Sequence, residues 1–230
     1  MSNIISFPAA AAAISRTPLS GPPELPPGRN MVMGANAILF HQGAAITGGW
    51  RLDSGLVAIE RVAEDGTRAV IKILRPGTLF PAADLLAGDT HSSSARTLTR
   101  VSLHVVAAAR LYQAAAGDQA LSLYLMRQAL DDARESEDII FTLSHADLGQ
   151  RVLSILRTLA SECGRPGAAG ATVLALPMSW RDLAGMLGTC PEVMSRLIRK
   201  LAKAGSLAFK GRLVTLPSLS GPGGFERVIV

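Results

Sequence analysis

The sequence predicts an α+β chain with a β-rich first half, one long helix and a winged helix-turn-helix at the carboxyl end. Three observations support this prediction: short apolar segments separated by glycine turns, an apolar stripe with heptad spacing, and a capped helix pair followed by a basic hairpin. We expect a disordered Pro/Ala-rich arm over residues 1–30, a β domain over 31–116, a dimerisation helix over 117–143 and the winged helix-turn-helix domain over 144–230.

The amino-terminal arm is predicted from its proline content. Six of the 13 prolines fall within residues 1–30, without any stable apolar periodicity, which is typical of a disordered segment. The apolar run at residues 9–13 has no positively charged residue before it, which argues against a secretory signal.

The composition indicates in which cellular compartment the protein is expected. No stretch approaches the roughly 18 consecutive apolar residues of a membrane helix, although 48% of the residues are hydrophobic. The two cysteines, Cys163 and Cys190, are too few for a disulfide framework in a chain of 230 residues. We therefore expect a cytoplasmic protein that does not associate with membranes.

Four apolar segments of the first half have the length and the flanking turns of β-strands. They are residues 38–40, 56–62, 69–74 and 101–106. Asp65-Gly66 is a hairpin turn signal between the second and third segments, and Pro76-Gly77 marks a further turn. Short strands with frequent glycine turns predict a sandwich or a small barrel.

An apolar stripe after Gly117 predicts a long dimerisation helix. The stripe consists of Leu123, Met126, Leu130, Ala133 and Ile140, with the charged Glu137 as an interruption. Its spacing alternates between three and four, as on the seam of a coiled coil. Packing of the helix on its own domain is the alternative, but the strongly polar residues on its other faces favour self-association.

The heptad pattern breaks near Ser144. An amphipathic helix over 148–159 and a flexible loop over 164–170 are predicted to follow.

Capping and turn residues predict the helix-turn-helix. Ser179 is a suitable N-cap, and Asp182 lies near the capping-box position. Residues 188–190 form the turn, and Pro191 suits the first position of the next helix because its missing N–H has no helical partner there in any case. Gly205 is the expected residue after the end of that helix.

The second helix of the pair has two distinct faces. One carries Met194, Leu197, Ile198 and Leu201, and the other carries Glu192, Ser195, Arg196, Arg199 and Lys203. Arginine can bind guanine through two hydrogen bonds, glutamate can accept one from cytosine, and serine can contact a base or a phosphate. Because the reading residues lie in the first turns, we expect this helix to enter the major groove of DNA.

A basic hairpin and a local excess of positive charge indicate the same partner. Residues 207–216 have the pattern of a hairpin with Lys210 and Arg212 at its tip, which suits contact with phosphates. Residues 175–216 contain seven basic and two acidic residues, so this segment accounts for the net charge of +5 of the whole chain. A helix pair with a solvated charged face is the alternative, but the ordered series from cap to hairpin favours double-stranded DNA.

Motifs in both halves of the chain resemble the cyclic-AMP receptor/fumarate-nitrate regulator (CRP/FNR) superfamily. Glu192-Val193-Met194-Ser195-Arg196 matches the E-x-x-S-R pattern of its FNR/FixK branch. Residues 207–212 resemble the wing of that branch, and residues 40–43, 54–57 and 76–80 resemble the superfamily's sensor domain. The resemblance, over about residues 38–216, implies a cyclic-nucleotide-binding-like β-roll, a dimerisation helix and a winged helix-turn-helix.

The resemblance also implies a homodimer that reads a palindrome of the TTGAT-N4-ATCAA type, with RNA polymerase as a partner. Base contacts are expected from Glu192, Ser195 and Arg196. The other expected DNA-site residues are Ser179, Thr189, Pro191, Arg199, Lys200, Lys210 and Arg212. Pro191 and Val193 depart from the branch's usual residues, so the outer half-site preference stays open. Activation and repression are not distinguished.

The sensor half departs from the ligand patterns of the superfamily, so we expect no cofactor and no metal. The positions that would hold ribose and phosphate are Ala82, Ala83, Ser93 and Ser94, which supply neither the carboxylate nor the arginine. No cysteine precedes Cys163, as an amino-terminal iron–sulfur cluster would require. A haem- or other ligand-dependent sensor that uses one of the four histidines is the alternative function; its binding of haem would give a Soret band.

Two further groups could carry chemistry. Ser92, Ser93 and Ser94 beside His91 lack a nucleophile elbow and an ordered acid, so we interpret them as a polar loop and expect no enzymatic activity. Cys190 lies at the start of the second helix, where the helix dipole can lower the pKa of a thiol. Redox control of DNA binding is one interpretation, and a small turn residue is the one we favour.

Overall fold

The computed structural model describes residues 24–145 and 147–218. In the first half it contains eight strands, a short helix and a longer one. In chain order they are β1 (Arg29–Met33), β2 (Ile38–Phe40), β3 (Gly48–Ser54), β4 (Val57–Val62), β5 (Arg68–Leu74), β6 (Leu79–Phe80), α1 (Ala82–Ala87), β7 (Ser94–Thr97), β8 (Val101–Ala107) and α2 (Ala108–Gly117).

These strands form two antiparallel sheets that face each other as a β-roll. Their orders are β1-β8-β3-β6 and β2-β7-β4-β5. The space between the sheets is filled by aromatic and aliphatic side chains, among them Phe40, Trp50, Phe80 and Leu103. The predicted β domain is therefore confirmed, and its four predicted strands correspond to β2, β4, β5 and β8.

A buried histidine belongs to this aromatic core. The ring of His91 stacks on Phe40 with centroids 3.8 Å apart, and Trp50 lies 5.9 Å away. Its Nδ1 is 3.6 Å from the Asp84 carboxylate. Burial lowers the pKa of His91 below its ordinary value of 6.5, and the charge of Asp84 opposes that shift only in part.

The interpretation of residues 92–94 as a polar loop agrees with the structure at Ser92 and Ser93 and is wrong at Ser94. Ser93 and Ser94 are buried, and Ser94 opens β7. The Ser94 hydroxyl accepts a hydrogen bond from the backbone N–H of Gln42. The buried polar side chain of Ser94 is therefore satisfied by a hydrogen bond from the neighbouring turn.

The predicted boundaries of two segments also need correction. Residues 1–23 of the predicted arm lie outside the described residues, but its end is ordered, since Leu25 is buried and Arg29 begins β1. The helical region begins at Ala108 rather than after Gly117, because α2 precedes the long helix. Asp118 separates the two helices, and its carboxylate accepts from the backbone N–H groups of Ala120 and Leu121.

The second half consists of helices and a small antiparallel sheet. Its elements are α3 (Gln119–His145), α4 (Leu148–Cys163), β9 (Arg165–Pro166), β10 (Thr172–Ala175), α5 (Trp180–Met186), α6 (Pro191–Lys203), β11 (Ala208–Lys210) and β12 (Leu213–Leu216). The sheet order is β11-β12-β10-β9. The flexible loop predicted over 164–170 is instead ordered in part, because β9 pairs with β10 and a 3-10 turn follows at Ala168–Gly170.

The two halves share one buried apolar cluster. Alternate residues of β4 point to opposite faces of the sheet: Val57 joins the interior of the roll, whereas Ala58 faces outward. On the outer face, Ala58 and Val70 belong to the same cluster as Met178 and Leu183 of the carboxyl-terminal domain. Helix α5 therefore rests against β5, and the helix-turn-helix is anchored to the roll.

We predict that His91 makes the stability of the protein depend on pH. Because its folded-state pKa lies below its unfolded value, the unfolded chain binds more protons at acidic pH, and the free energy of unfolding should fall as pH drops through about 6.5. His91→Phe keeps a ring on Phe40 and should remove this component. Urea unfolding at about pH 8 and pH 5.5 measures this change in the free energy of unfolding.

The exposed His41 offers a matched control. His41→Gln should leave the pH dependence of the wild type unchanged. An identical loss of stability on acidification in His91→Phe and the wild type would contradict the prediction.

Candidate nucleic-acid interface

The first helix of the helix-turn-helix begins with a reciprocal capping box. The Ser179 hydroxyl accepts from the N–H of Asp182 at 3.0 Å, and the Asp182 carboxylate accepts from the N–H of Ser179 at 3.2 Å. Both bonds satisfy N–H groups that have no partner in the first turn. The predicted cap is confirmed, and the Ser179 hydroxyl oxygen is used as an acceptor within the protein.

The turn between the two helices is closed by backbone hydrogen bonds. Gly188 adopts a positive φ of 66°, a conformation that glycine reaches without strain. The N–H of Thr189 then donates to the carbonyl of Ala184 at 2.9 Å. Cys190 is the exposed N-cap of α6, and Pro191 occupies the first helical turn as the sequence predicts.

Helix α6 buries one face and exposes the other. Met194 and Ile198 are buried against the domain core. The exposed residues of this helix are Pro191, Glu192, Ser195, Arg196, Arg199, Lys200 and Lys203. The E-x-x-S-R residues thus lie together on the open side of the first two turns, where a groove-reading helix presents its specific contacts.

The carboxylate of Glu192 lies in a positive environment. Its pKa is held below its usual value by its own backbone N–H at the helix start and by the Cys190 thiol, with smaller contributions from the charges of Arg181 and Arg196. Glu192 is therefore ionised at neutral pH and acts only as an acceptor. Arg181 of α5 is exposed and joins this group from the first helix, which sequence reasoning did not include in the site.

The wing is the hairpin β11–β12, with Lys210 and Arg212 exposed on either side of Gly211. It is tied to α5 through Trp180, whose indole N–H donates to the carbonyl of Gly211 at 2.9 Å. The Trp180 ring also meets Phe209 edge to face at 6.4 Å. This tie fixes the basic tip relative to the helix pair, and sequence reasoning missed it because 31 residues separate the partners.

The predicted seam of α3 is exposed in the single chain. Leu123, Met126, Leu130 and Ile140 have relative exposures of 41%, 45%, 59% and 64%. Ala133 on the same stripe is also exposed. An apolar stripe of this length on an otherwise polar helix has the surface that a coiled-coil partner covers.

The positions predicted to lack ligand-binding groups lie at α1 and β7. Ala82 and Ala83 open α1, and Ala82 is buried. Within residues 24–145 and 147–218, no three His, Cys, Asp or Glu residues come together as a metal site would require. None of the helices in the part of the chain that the structure describes is long and apolar enough to span a membrane.

A β-roll, a long helix with an exposed apolar seam, and a winged helix-turn-helix with a basic open face together define a two-domain DNA-binding regulator. Family models agree: the cyclic nucleotide-binding domain matches residues 31–118, and the Crp-like helix-turn-helix domain matches residues 119–221. The chain belongs to the CRP/FNR family of transcription regulators.

Individual relatives support this assignment. The nitrogen fixation regulation protein FixK of Rhizobium meliloti is 28% identical over 84% of this chain and 82% of its own length. The global nitrogen regulator of Nostoc sp. is 27% identical over 79% of this chain and 82% of its own. The fold itself is shared with the solved structure of FixK2 from Bradyrhizobium japonicum, which superposes with a TM-score of 0.69 at 24% identity and covers 83% of this chain and 93% of that one.

We predict that Ser179→Ala destabilises the helix-turn-helix by about 1 kcal/mol, because it removes the acceptor for the Asp182 N–H. Chemical unfolding followed by circular dichroism measures the change. Ser161→Ala, which alters an exposed serine of α4, is the control and should stay within about 0.5 kcal/mol of the wild type. Equal effects of the two substitutions would argue against the capping role.

Proposed function

We propose that the protein is a homodimeric transcription regulator that reads a palindrome of the TTGAT-N4-ATCAA type. The main observation in support of this proposal is that Glu192, Ser195 and Arg196 are exposed on the first turns of a helix whose opposite face is buried. The relative FixK is named for regulation of nitrogen fixation, and residues 192–196 of this chain resemble the E-x-x-S-R pattern of the FNR/FixK branch.

The predicted DNA-site residues divide into base-reading and backbone-binding groups. Arg196 can bind guanine O6 and N7, and the ionised Glu192 can accept from a cytosine amino group. The expected phosphate contacts come from Arg199, Lys200, Lys210 and Arg212, with the hydroxyl donors of Thr189 and Ser179 at the helix starts. Pro191, which has no N–H, is expected to contribute only van der Waals contact with the DNA. Phosphate contacts fix position and affinity, whereas base contacts determine sequence preference.

Dimerisation through α3 would give the two-fold symmetry that a palindrome requires. Two recognition helices related in this way lie about 34–36 Å apart, which is one turn of B-DNA. The exposed seam of α3 supports this arrangement. We further propose that the dimer acts in the cytoplasm, with RNA polymerase as a partner.

We propose that the regulator needs neither cyclic nucleotide nor an iron–sulfur cluster. Ala82 and Ala83 offer no carboxylate to a ribose, and the Ser94 hydroxyl already accepts from Gln42. Cys190 is exposed at the N-cap of α6, so its oxidation stays a separate prediction: added bulk or charge there would weaken DNA binding.

The DNA-reading role is tested with Arg196→Ala. Loss of a two-bond contact to guanine should weaken binding to the palindrome by about 10- to 100-fold and leave binding to a scrambled duplex nearly unchanged. Lys210→Ala should instead weaken both duplexes and reduce the salt slope by about 1. Fluorescence anisotropy of reduced protein at two salt concentrations measures both effects.

Arg61→Ala, at an exposed arginine of β4, is the control for loss of positive charge. It should behave as the wild type on both duplexes. Equal losses on palindrome and scrambled duplex for Arg196→Ala would reject the assignment of this residue to base reading.

The dimer is tested with Leu130→Asp. A carboxylate in the centre of the seam would have to be buried against an apolar partner, so the variant should sediment as a monomer where the wild type is a dimer. Val62→Asp, at a similarly exposed apolar residue of the β-roll, should remain dimeric. A monomeric wild type, or a dimeric Leu130→Asp, would overturn the proposed assembly.

A further inference from the structure

A cleft of about 460 Å³ lies where the β-roll, the long helix and the carboxyl-terminal domain meet. Its walls come from β5, α3, α4 and the end of α5. The apolar lining consists of Leu56, Ile71, Ile73, Ile139, Ile155, Leu159, Met186 and Leu187. A ligand bound here would contact all three parts of the regulator at once.

Three ion pairs, two at Lys72 and one at Arg75, lie on opposite sides of this cleft. Lys72 of β5 binds Asp132 at 2.6 Å and Glu135 at 2.5 Å, both on α3. Burial lowers the pKa of Lys72, but the hydrogen bonds and charges of the two carboxylates outweigh it and raise that pKa. At the other side, Arg75 approaches Glu162 of α4 at 3.9 Å.

Arg151 of α4 is the basic residue whose bonding is incomplete. One terminal nitrogen donates to the carbonyl of Leu187 at 3.2 Å. Its Nε is buried and has no hydrogen-bond partner among the described residues. A buried guanidinium N–H without an acceptor costs free energy, and the side chain lines the cleft. A charged oxygen carried by a ligand can accept instead from the terminal N–H groups of Arg151, one of which donates to Leu187.

The cleft lies away from the surface that a second copy would cover. Asp131, Arg134, Glu135 and Ile139 line it from α3. At 3.6 residues per turn, Asp131, Glu135 and Ile139 fall on the side of α3 opposite the stripe that contains Met126 and Leu130, whereas Arg134 lies at the edge of the cleft nearer to that stripe. Dimerisation through that stripe therefore leaves the cleft accessible.

We propose that this cleft is a binding site for a small organic carboxylate with an aliphatic body. The carboxylate accepts from Arg151, and the hydrocarbon lies between Ile73 of the roll and Ile155 and Leu187 of the carboxyl-terminal domain. The site is separate from Ala82, Ala83, Ser93 and Ser94, where a cyclic nucleotide would be held. Occupancy adds contacts across the domain junction and stabilises the orientation of the helix-turn-helix.

Calorimetric titration of the full chain with sodium octanoate tests the site without any DNA. We expect saturable binding at one site per chain with a Kd below about 1 mM. Arg151→Met keeps the length and apolar stem of the side chain and should weaken binding by about tenfold or more, as should replacing octanoate with octan-1-ol. Inorganic phosphate, which lacks the hydrocarbon, should not compete.

Two further variants keep the test decisive. Ile155→Trp fills the cleft while Arg151 stays in place, and it should abolish binding even if Arg151→Met fails to fold. Arg157→Met, at an exposed arginine of the same helix, should bind octanoate as the wild type does. Absence of saturable binding, or unchanged binding in Ile155→Trp, would overturn the proposal. Neither result would bear on recognition of the palindrome, which anisotropy measures separately.

Discussion

The apolar contact between the outer face of the β2-β7-β4-β5 sheet and the carboxyl-terminal domain determines how the rest of the molecule is arranged. Leu56, Ala58 and Val70 on the roll and Met178 and Leu183 beyond α4 are buried in one cluster. Each large side chain in such a cluster contributes roughly 1.5–3 kcal/mol. Because the first half of β4 is covered on both faces, Val57, Ala58 and Ile59 are apolar at consecutive positions rather than alternate ones. The recognition helix is thus carried on a fixed support.

On that support, local hydrogen bonds aim the DNA-facing groups. The capping box at Ser179 fixes the start of α5, and the Thr189 bond to Ala184 sets the angle at which α6 leaves the turn. Trp180 then links α5 to the wing through Gly211. Binding specificity requires that reading residues be held in place before contact. These bonds hold both α6 and the wing in place, since both are attached to the same short helix, α5.

Sequence reasoning succeeded where structure is decided locally. Caps, the turn and the helix faces around Pro191 follow from neighbouring residues, and so do hairpin strands next to Asp65-Gly66. It missed β3, which opens with two glycines, and β7, whose residues Ser94–Thr97 are mostly polar. Those strands exist because distant partners flank them: β7 lies between β2 and β4, and its Arg96 binds the buried Glu60 at 2.8 Å. The tie from Trp180 and the cleft at Arg151 depend on contacts between elements, for which the sequence carries no local signal.

The same packing explains why a ligand that acts on this regulator is better placed at the domain junction than inside the roll. The roll interior is occupied by its own rings, with Phe40 and Trp50 at 5.1 Å, Trp50 and Phe80 at 6.0 Å, and His91 stacked on Phe40. A ligand shifts an equilibrium only by binding one arrangement better than another. At the junction, a ligand whose oxygen binds the terminal nitrogens of Arg151 would touch both domains in the arrangement seen here. That differential contact is the physical requirement for coupling a small molecule to the direction in which α6 points.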